Sequence, residues 1–356
     1  MRHRRDITGT SLVCAAIAVL LLVRPAMAQD DGEVAPPPHS LKPRPALEAP
    51  MAAHYRLIDI ADTGRRLVAV GQHGNIVVSD DGKTWKQAPS PVNIMLTRVR
   101  FLDAQRGWIV GYDGTILHSS DGGNNWQVQH YDAEARPLYD ILMLDAQNGI
   151  AVGGYGGYLT TADGGASWTP RESPLVELGL HFNMIRQLGD GTLFIAGEKS
   201  LMAWSADNGA TWQMLNSPYH GSFFGVVPLG TRGVLVYGLR GHAYVSLDVT
   251  AAARQDPASF DPPNREMVED PRKLAAMGWQ PLTGGLNESM FGAEQLPDGE
   301  VLLVGVNGLS QKTRLALANL NPLELPANAT LSDVLAWRGR LIGVGKRGVV
   351  DLGAAN

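Results

Sequence analysis

Residues 161–168 read Thr-Ala-Asp-Gly-Gly-Ala-Ser-Trp, downstream of a short apolar run, Ile-Ala-Val, that ends at Gly153. The octet places a carboxylate, Asp163, where it can accept backbone N–H groups of a tight turn. Gly165 can take the positive φ such turns require. Trp168 opens the next strand and fills space between neighbouring units. The octet recurs as Ser-Ser-Asp-Gly-Gly-Asn-Asn-Trp, with Asp121, Gly123 and Trp126, and as Ser-Ala-Asp-Asn-Gly-Ala-Thr-Trp, with Asp207, Gly209 and Trp212. An earlier copy, Val-Ser-Asp-Asp-Gly-Lys-Thr-Trp, aligns Asp80, Gly82 and Trp85 with these positions and sets Val78 where the others carry a hydroxyl. This chemistry is local and structural. It calls for no catalysis and no bound metal.

The apolar run recurs more often than the octet. Runs ending in glycine fall at Gly71, Gly111, Gly153, Gly197, Gly238, Gly305 and Gly345. Their spacings are 40, 42, 44, 41, 67 and 40 residues, close to the length of a four-stranded blade. In the second unit, 96–102, 107–111, 115–119 and 126–130 read as four successive strands. Seven such units arranged radially bury both faces of every sheet and leave only short edges. The expectation is therefore all-β: a seven-bladed β-propeller of four-stranded antiparallel blades over 54–356. The fifth unit departs from the pattern. It has no aspartate marker after Ser246 and carries a Pro- and charge-rich insertion over 248–278 before Trp279. The seventh stops at Val349, Val350, Asp351 and Leu352, short of a fourth strand. The segment before His54 is the candidate to complete it.

Composition agrees. The 41 glycines and 22 prolines show no three-residue period, so they signal turns rather than a fibre. The N-terminus reads as an export signal: Arg2, Arg4 and Arg5, an uncharged run from Ser11 to Val23, then Ala26-Met27-Ala28 with cleavage expected after Ala28. That run is short for a membrane span, which needs about 20 residues. Cys14 is the only cysteine and lies inside the signal, so no disulfide or thiolate metal site is expected beyond it. The chain's formal charge is −5. Residues 1–28 hold four arginines and one aspartate, leaving −8 for the remainder. An acidic chain without a basic run is a poor candidate for nucleic acid or an anionic membrane. Residues 29–53 form a Pro-rich linker or strap. The expected location is the periplasm or outside the cell, as a monomer without a membrane span after cleavage.

These markers resemble the Asp-box, or bacterial-neuraminidase-repeat, propellers. Within them the chain is similar to the photosystem II assembly and stability factor family and its relatives in non-photosynthetic bacteria. The resemblance covers about residues 54–356. It implies a binding scaffold without cofactors that engages an envelope or membrane protein complex, a resistance-nodulation-division exporter among the options. The photosynthetic name does not transfer with the fold. Family members bind a reaction-centre protein precursor with arginines on one face. Arg98, Arg100 and Arg186 lie in first strands where such a patch would form.

Sialidases share the Asp-box fold and are the enzymatic alternative, together with glycan-binding propellers. Their chemistry needs three arginines converging on a carboxylate, a tyrosine nucleophile beside a glutamate, and an acidic acid/base. Here Tyr55-Arg56-Leu57 begins the family's aromatic-Arg-aliphatic-Pro signature, but Ile58 replaces the proline. The histidines are scattered, with no metal-binding spacing. The glycine run 153–157 follows a strand but opens a hairpin, so it is no dinucleotide loop. The reading is therefore non-enzymatic. Partner-binding residues are expected at the start of the first strands: Met95, Tyr139, Phe182, Phe223, Phe224, Met290 and Phe291, beside Arg98, Arg100 and Arg186. Repeated aromatic and methionine side chains on one face suit a protein partner.

Overall fold

The computed structural model describes residues 42–261, 267–314, 318–325 and 329–355. The expected export signal at 1–28, with Cys14 and the expected cleavage point, lies outside the described residues, as does the first part of the Pro-rich segment. The described chain forms seven antiparallel sheets, each built from consecutive strands. It is a seven-bladed β-propeller whose unit is the four-stranded blade. The first strands, Leu57–Asp62, Leu96–Phe101, Leu138–Met143, Phe182–Gln187, Phe223–Leu229, Met290–Gln295 and Leu331–Trp337, lie innermost. The seventh packs beside the first and closes the ring. Second strands are sandwiched between neighbouring blades, so Leu67–Gly71, Gly149–Gly153 and Val301–Gly305 are buried along their whole length. Hence the continuous apolar runs rather than an alternating pattern.

The seven recurring glycines have one steric cause. Each first strand shifts register after its first residue, a bulge that bends the backbone towards the end of the second strand. A Cβ at Gly71 would stand 2.2 Å from the Arg56 carbonyl oxygen, at Gly153 2.0 Å from that of Pro137, and at Gly305 2.0 Å from that of Ser289. Gly111, Gly197, Gly238 and Gly345 meet the equivalent oxygen at 2.2–2.5 Å. The reason is close backbone approach, since the φ at Gly71, Gly153 and Gly305 is ordinary extended backbone.

The octets form the turns between third and fourth strands. Asp163 Oδ1 accepts from Ser167 N at 2.9 Å, and Asp163 Oδ2 accepts from the Ser167 hydroxyl at 2.6 Å. Thr161 donates to Asp163 and accepts from Gly165 N. These bonds hold the Asp163 carboxyl at about 2. Asp121 and Asp207 repeat the arrangement. The first copy corrects the sequence alignment. Asp81, not Asp80, accepts from Lys83 N and Thr84 N at 2.8 and 2.7 Å, and Ser79 rather than position 78 supplies the hydroxyl. Asp80 instead pairs with Arg66 at the surface. The turn is one residue shorter here, so aligning on glycine and tryptophan displaced the aspartate by one. Each box tryptophan packs against the preceding blade: Trp126 on Val68 and Val70, Trp168 beside Trp108 and Val110, Trp212 against Tyr158, and Trp85 in the cluster holding Leu335 and Trp337.

Blade five keeps its fourth strand, Gln280–Pro281, beyond the insertion. Val249, Ala252, Leu274 and Trp279 are buried in the same cluster as Phe194 and Met202 of blade four, so the insertion extends the core. Trp279 occupies the place of a box tryptophan without a box, its indole N–H donating to the Asn216 carbonyl at 3.0 Å. Blade seven has three strands among the described residues. Residues 42–54 do not pair with it. Residues 46–49 lie along blade one, with Ala46 N donating to Ser90 O at 3.0 Å and Ala49 N to Gln87 Oε1 at 2.7 Å, and Ala53 and His54 pass against Gly348 at the start of blade seven's third strand.

Candidate functional site

The third residue of each first strand turns towards the ring axis. In blade order these are Asp59, Arg98, Asp140, Met184, Gly225, Gly292 and Asp333. Neighbouring first strands share no backbone ladder, so side chains do the joining. Asp59 Oδ2 accepts from Val99 N at 2.8 Å and Asp140 Oδ2 from Ile185 N at 3.0 Å, each in the next blade. The Thr97 hydroxyl donates to Leu138 O at 2.6 Å, and Asn183 Nδ2 to Phe223 O at 2.8 Å.

Three arginines fill the middle of this ring. Arg98 sits 2.7 Å from Asp59 and 3.3 Å from Asp140. Arg186 sits 2.6 Å from Asp140, and Arg100 reaches Asp59 at 3.4 Å. Both aspartates are fully buried. Burial alone would raise them, but Arg98 and Arg100 hold Asp59 below the ordinary carboxylate range, and Arg186, Arg98 and Arg100 do the same for Asp140. Burial and the neighbouring Arg100 pull Arg186 down to about 10, which leaves it protonated at neutral pH. Asp333 behaves oppositely. Burial and the adjacent Asp59 charge raise it well above its usual value, and it shares a hydrogen bond with Asp59. The ring thus holds three guanidiniums against two carboxylates and a third acid that keeps its proton to higher pH than usual.

A pH dependence follows. Unfolded, Asp333 ionises near 3.9; folded, it keeps its proton to higher pH. Below the unfolded value its bond to Asp59 contributes fully, and the contribution is lost as pH rises through the folded value. Asp333→Asn keeps a donor for Asp59 without a proton to lose. Urea unfolding at pH 5, 7 and 9 is expected to show the variant gaining on the wild type by up to about 1.4 kcal/mol per pH unit within that window. Parallel curves for the two proteins would contradict the protonated assignment.

Two cavities flank the arginine layer. One, of about 610 Å³, opens where the first strands end and is lined by Arg100, Arg186, Tyr237, Glu294 and Asp333. Tyr237 there is held far above its ordinary value, chiefly by burial and then by Asp333, the reverse of what a tyrosine nucleophile requires. The other, of about 410 Å³, opens where the first strands begin and is lined by Arg56, Arg98, Lys346, Thr330, Ser332 and Phe291, with no carboxylate. Aromatic residues flank that mouth. His181 packs edge-on to Tyr139 and Tyr155 at 5.7 and 4.6 Å, and Phe224 lies 5.4 Å from Phe291. Tyr155, with φ 52°, sits in a left-handed turn that repeats at His73, Asp113, Lys199, Arg240 and Asn307. Aromatic residues rarely adopt this conformation, and here it leaves the ring 57% exposed.

The expected binding residues divide accordingly. Met95, Tyr139, Phe224 and Phe291 are half-buried at the mouth. Phe182, Phe223 and Met290 are fully buried in the clusters between blades, which corrects their assignment to a surface. They are the first residue of each strand, which points between blades, whereas the second points to the mouth. Arg98, Arg100 and Arg186 come together in the channel, each against a carboxylate. Asp59, Asp140 and Asp333 were missed; their common place in the repeat was the available signal.

The model of the family described as Photosynthesis system II assembly factor YCF48 matches residues 83–137 and 119–252. This chain is a β-propeller similar to the photosystem II assembly factors over just under half of its length. Over 76 residues it is 32% identical to the chloroplast photosystem II stability/assembly factor HCF136 of Cyanidioschyzon merolae, covering 19% of this chain and 17% of that protein. Over 62 residues it is 39% identical to the photosystem II assembly lipoprotein Ycf48 of a Synechococcus species, covering 16% and 18%. The matched stretches therefore span less than a fifth of these curated relatives. The assembly factor-like chain also superposes on a solved YCF48 bound to a D1 peptide, with TM-score 0.62 and 16% identity over 88% of this chain and all of that one. YCF48 from Cyanidioschyzon merolae gives 0.61 at 14%, covering 85% and 95%. The WD40 propeller of Doa1 gives 0.60 at 10%, covering 85% and 93%, so at these identities the likeness speaks for the fold alone.

Proposed function

We propose that this assembly factor-like propeller is a non-enzymatic periplasmic binding protein that grips an extended, carboxylate-bearing segment of a membrane-protein client. It would thereby assist the assembly or operation of an envelope complex, such as a resistance-nodulation-division exporter. The observation that carries the reading is the mouth where the first strands begin. Arg56, Arg98 and Lys346 line it without a carboxylate, between an aromatic cluster at Tyr139, Tyr155 and His181 and the Phe224–Phe291 pair. Cations offer ion pairs to a client's acidic groups, and exposed aromatic rings supply contact area at low entropic cost. A peptide-bound YCF48 with the same fold supports a peptide as ligand. A sialidase-like reading is not favoured, because the three channel arginines face Asp59 and Asp140 and Tyr237 is held protonated.

Affinity capture from solubilised envelope fractions, read by mass spectrometry, tests this. A double variant, Arg56→Glu with Lys346→Glu, is expected to reduce client recovery at least tenfold with its melting temperature unchanged, and Phe291→Ala to weaken it less. Equal recovery of the same clients by wild type and double variant would reject the mouth as the binding site.

A further inference from the structure

Among the described residues blade seven carries no fourth strand where every other blade does, although Ala53 and His54 pass the start of its outer strand at Gly348. At the first ladder residue of the third strand, five blades spend a backbone carbonyl on an amide arriving with the fourth strand. Ala88 N reaches Ile76 O at 2.9 Å, Arg171 N reaches Tyr158 O at 3.0 Å, and Leu215, Leu282 and Leu323 reach Met202, Ala243 and Ser310 at 2.9 Å each. Blade two pairs the equivalent Ile116 with His130. In blade seven the equivalent residue is Val349, which opposes Val344 as Ile76 opposes Val70. Among the described residues nothing lies in the ladder beyond the strand Gly348–Ala354.

Register tells which groups are available. The two-residue turn at Lys346 and Arg347 makes Gly345 and Gly348 a hydrogen-bonded pair, and pairs alternate from there. Val349 and Asp351 therefore turn their N–H and C=O groups outward. In blade one the equivalent positions, Ile76 and Val78, are the ones the fourth strand meets, with Ala88 N on Ile76 O and Lys86 opposite Val78. The edge from Gly348 to Asp351 carries neither lysine nor proline, the usual guards of an open strand.

A groove of about 480 Å³ runs beside this edge. Val349 and Asp351 form one wall, Lys83, Trp85 and Lys86 of blade one another, and residues 49–54 of the chain's own N-terminal segment close one end. Its charge is mainly positive. Asp351 is held by Arg340 and also feels the Lys83 charge, while Lys83 and Lys86 are exposed and make no ion pair within 4 Å among the described residues. The half-buried Trp85 ring offers an apolar floor.

We infer that this edge is a second docking surface, distinct from the channel mouth, where an extended acidic segment of a partner polypeptide adds the fourth strand of blade seven. Backbone hydrogen bonds at Val349 and Asp351 supply the generic affinity, and Lys83, Lys86 and Trp85 select an acidic residue beside an apolar one. A second copy of this chain fits less well, since twofold pairing of the edges would bring like lysines together.

The probe is a dye-labelled, end-capped octapeptide alternating glutamate and valine, titrated against the full chain at low salt by fluorescence polarisation. Saturable binding is expected. It should fall at least tenfold when the peptide is N-methylated on alternate amides, when lysines replace the glutamates, or in a Lys83→Glu, Lys86→Glu chain. Val349→Pro, which removes an outward N–H without touching the pair with Val344, should act alike; every chain titrated also carries Arg56→Glu, so that capture of the acidic peptide at the mouth does not contribute. In the complex the Val349 and Asp351 amides should gain hydrogen-exchange protection. No saturable binding, indifference to N-methylation, or a dimer of the chain that the peptide does not displace would each overturn the inference; the N-methylated peptide keeps the test valid should Val349→Pro unfold the chain.

Discussion

Asp140→Ala is expected to cost about 3–5 kcal/mol of unfolding free energy, because it leaves buried cations without their partner. Asp140 is wholly buried, 2.6 Å from Arg186 and within 3.6 Å of both Arg98 and Arg100, and it caps Ile185 N across a blade boundary. No other carboxylate stands ready to replace it. Asp59 differs. Its neighbour Asp333 is held protonated partly by the Asp59 charge, so in Asp59→Ala the released Asp333 can ionise and pair with Arg98. Equilibrium denaturation should therefore show Asp59→Ala as the milder of two losses that contact lists would rank together. Equal losses, or an Asp140→Ala loss below about 1 kcal/mol, would mean that solvent in the channel screens these charges.

Gly153→Ala is expected to cost about 3 kcal/mol, the upper end of the usual overpacking range. The new methyl would meet Pro137 O at 2.0 Å and Leu138 Cα at 2.7 Å. Both are backbone atoms, so no rotamer change relieves the clash. Gly179→Ala is the control: its φ of +63° carries a conformational cost, but nothing lies within 4 Å of the added carbon, and about 1 kcal/mol is expected. Similar denaturation midpoints for the two variants would show that the bulge yields to an added methyl and that close backbone approach is not what fixes the glycine.

The channel mouth and the Val349 edge share one origin. A propeller blade presents backbone at two places, the bulged start of its inner strand and the free side of its outer strand. Repetition fills the outer place six times. The mouth differs from blade to blade because the second residues of the first strands, Ile58, Thr97, Tyr139, Asn183, Phe224, Phe291 and Ser332, share no common partner: Thr97 and Asn183 bond to the next blade, while Tyr139 packs on His181 and Phe224 on Phe291. Positions that carry steric duty repeat, and those facing the mouth diverge.

Local and nearest-neighbour physics was readable in the chain. The seven apolar runs closing in glycine counted the blades, since each reports a strand buried on both faces and a backbone approach that excludes Cβ. The box residues declared their turns, because a carboxylate three or four residues from its amides acts within one hairpin. That locality also set the limit: a turn shorter by one residue moved the duty from Asp80 to Asp81 without altering the tryptophan and glycine that anchored the comparison. What joins one blade to the next could not be read so. Asp59 and Arg98 stand 39 residues apart, Asp140 and Arg186 stand 46, and each pairing exists only because the ring brings equivalent rungs of adjacent blades within 3 Å. Whether Phe223 faces the core and Phe224 the mouth depended on a bulge that shifts the pleat, and the protonation of Asp333 on a second carboxylate arriving from the far end of the chain. Contacts of that kind are made by closing the circle, and a linear pattern carries no term for them.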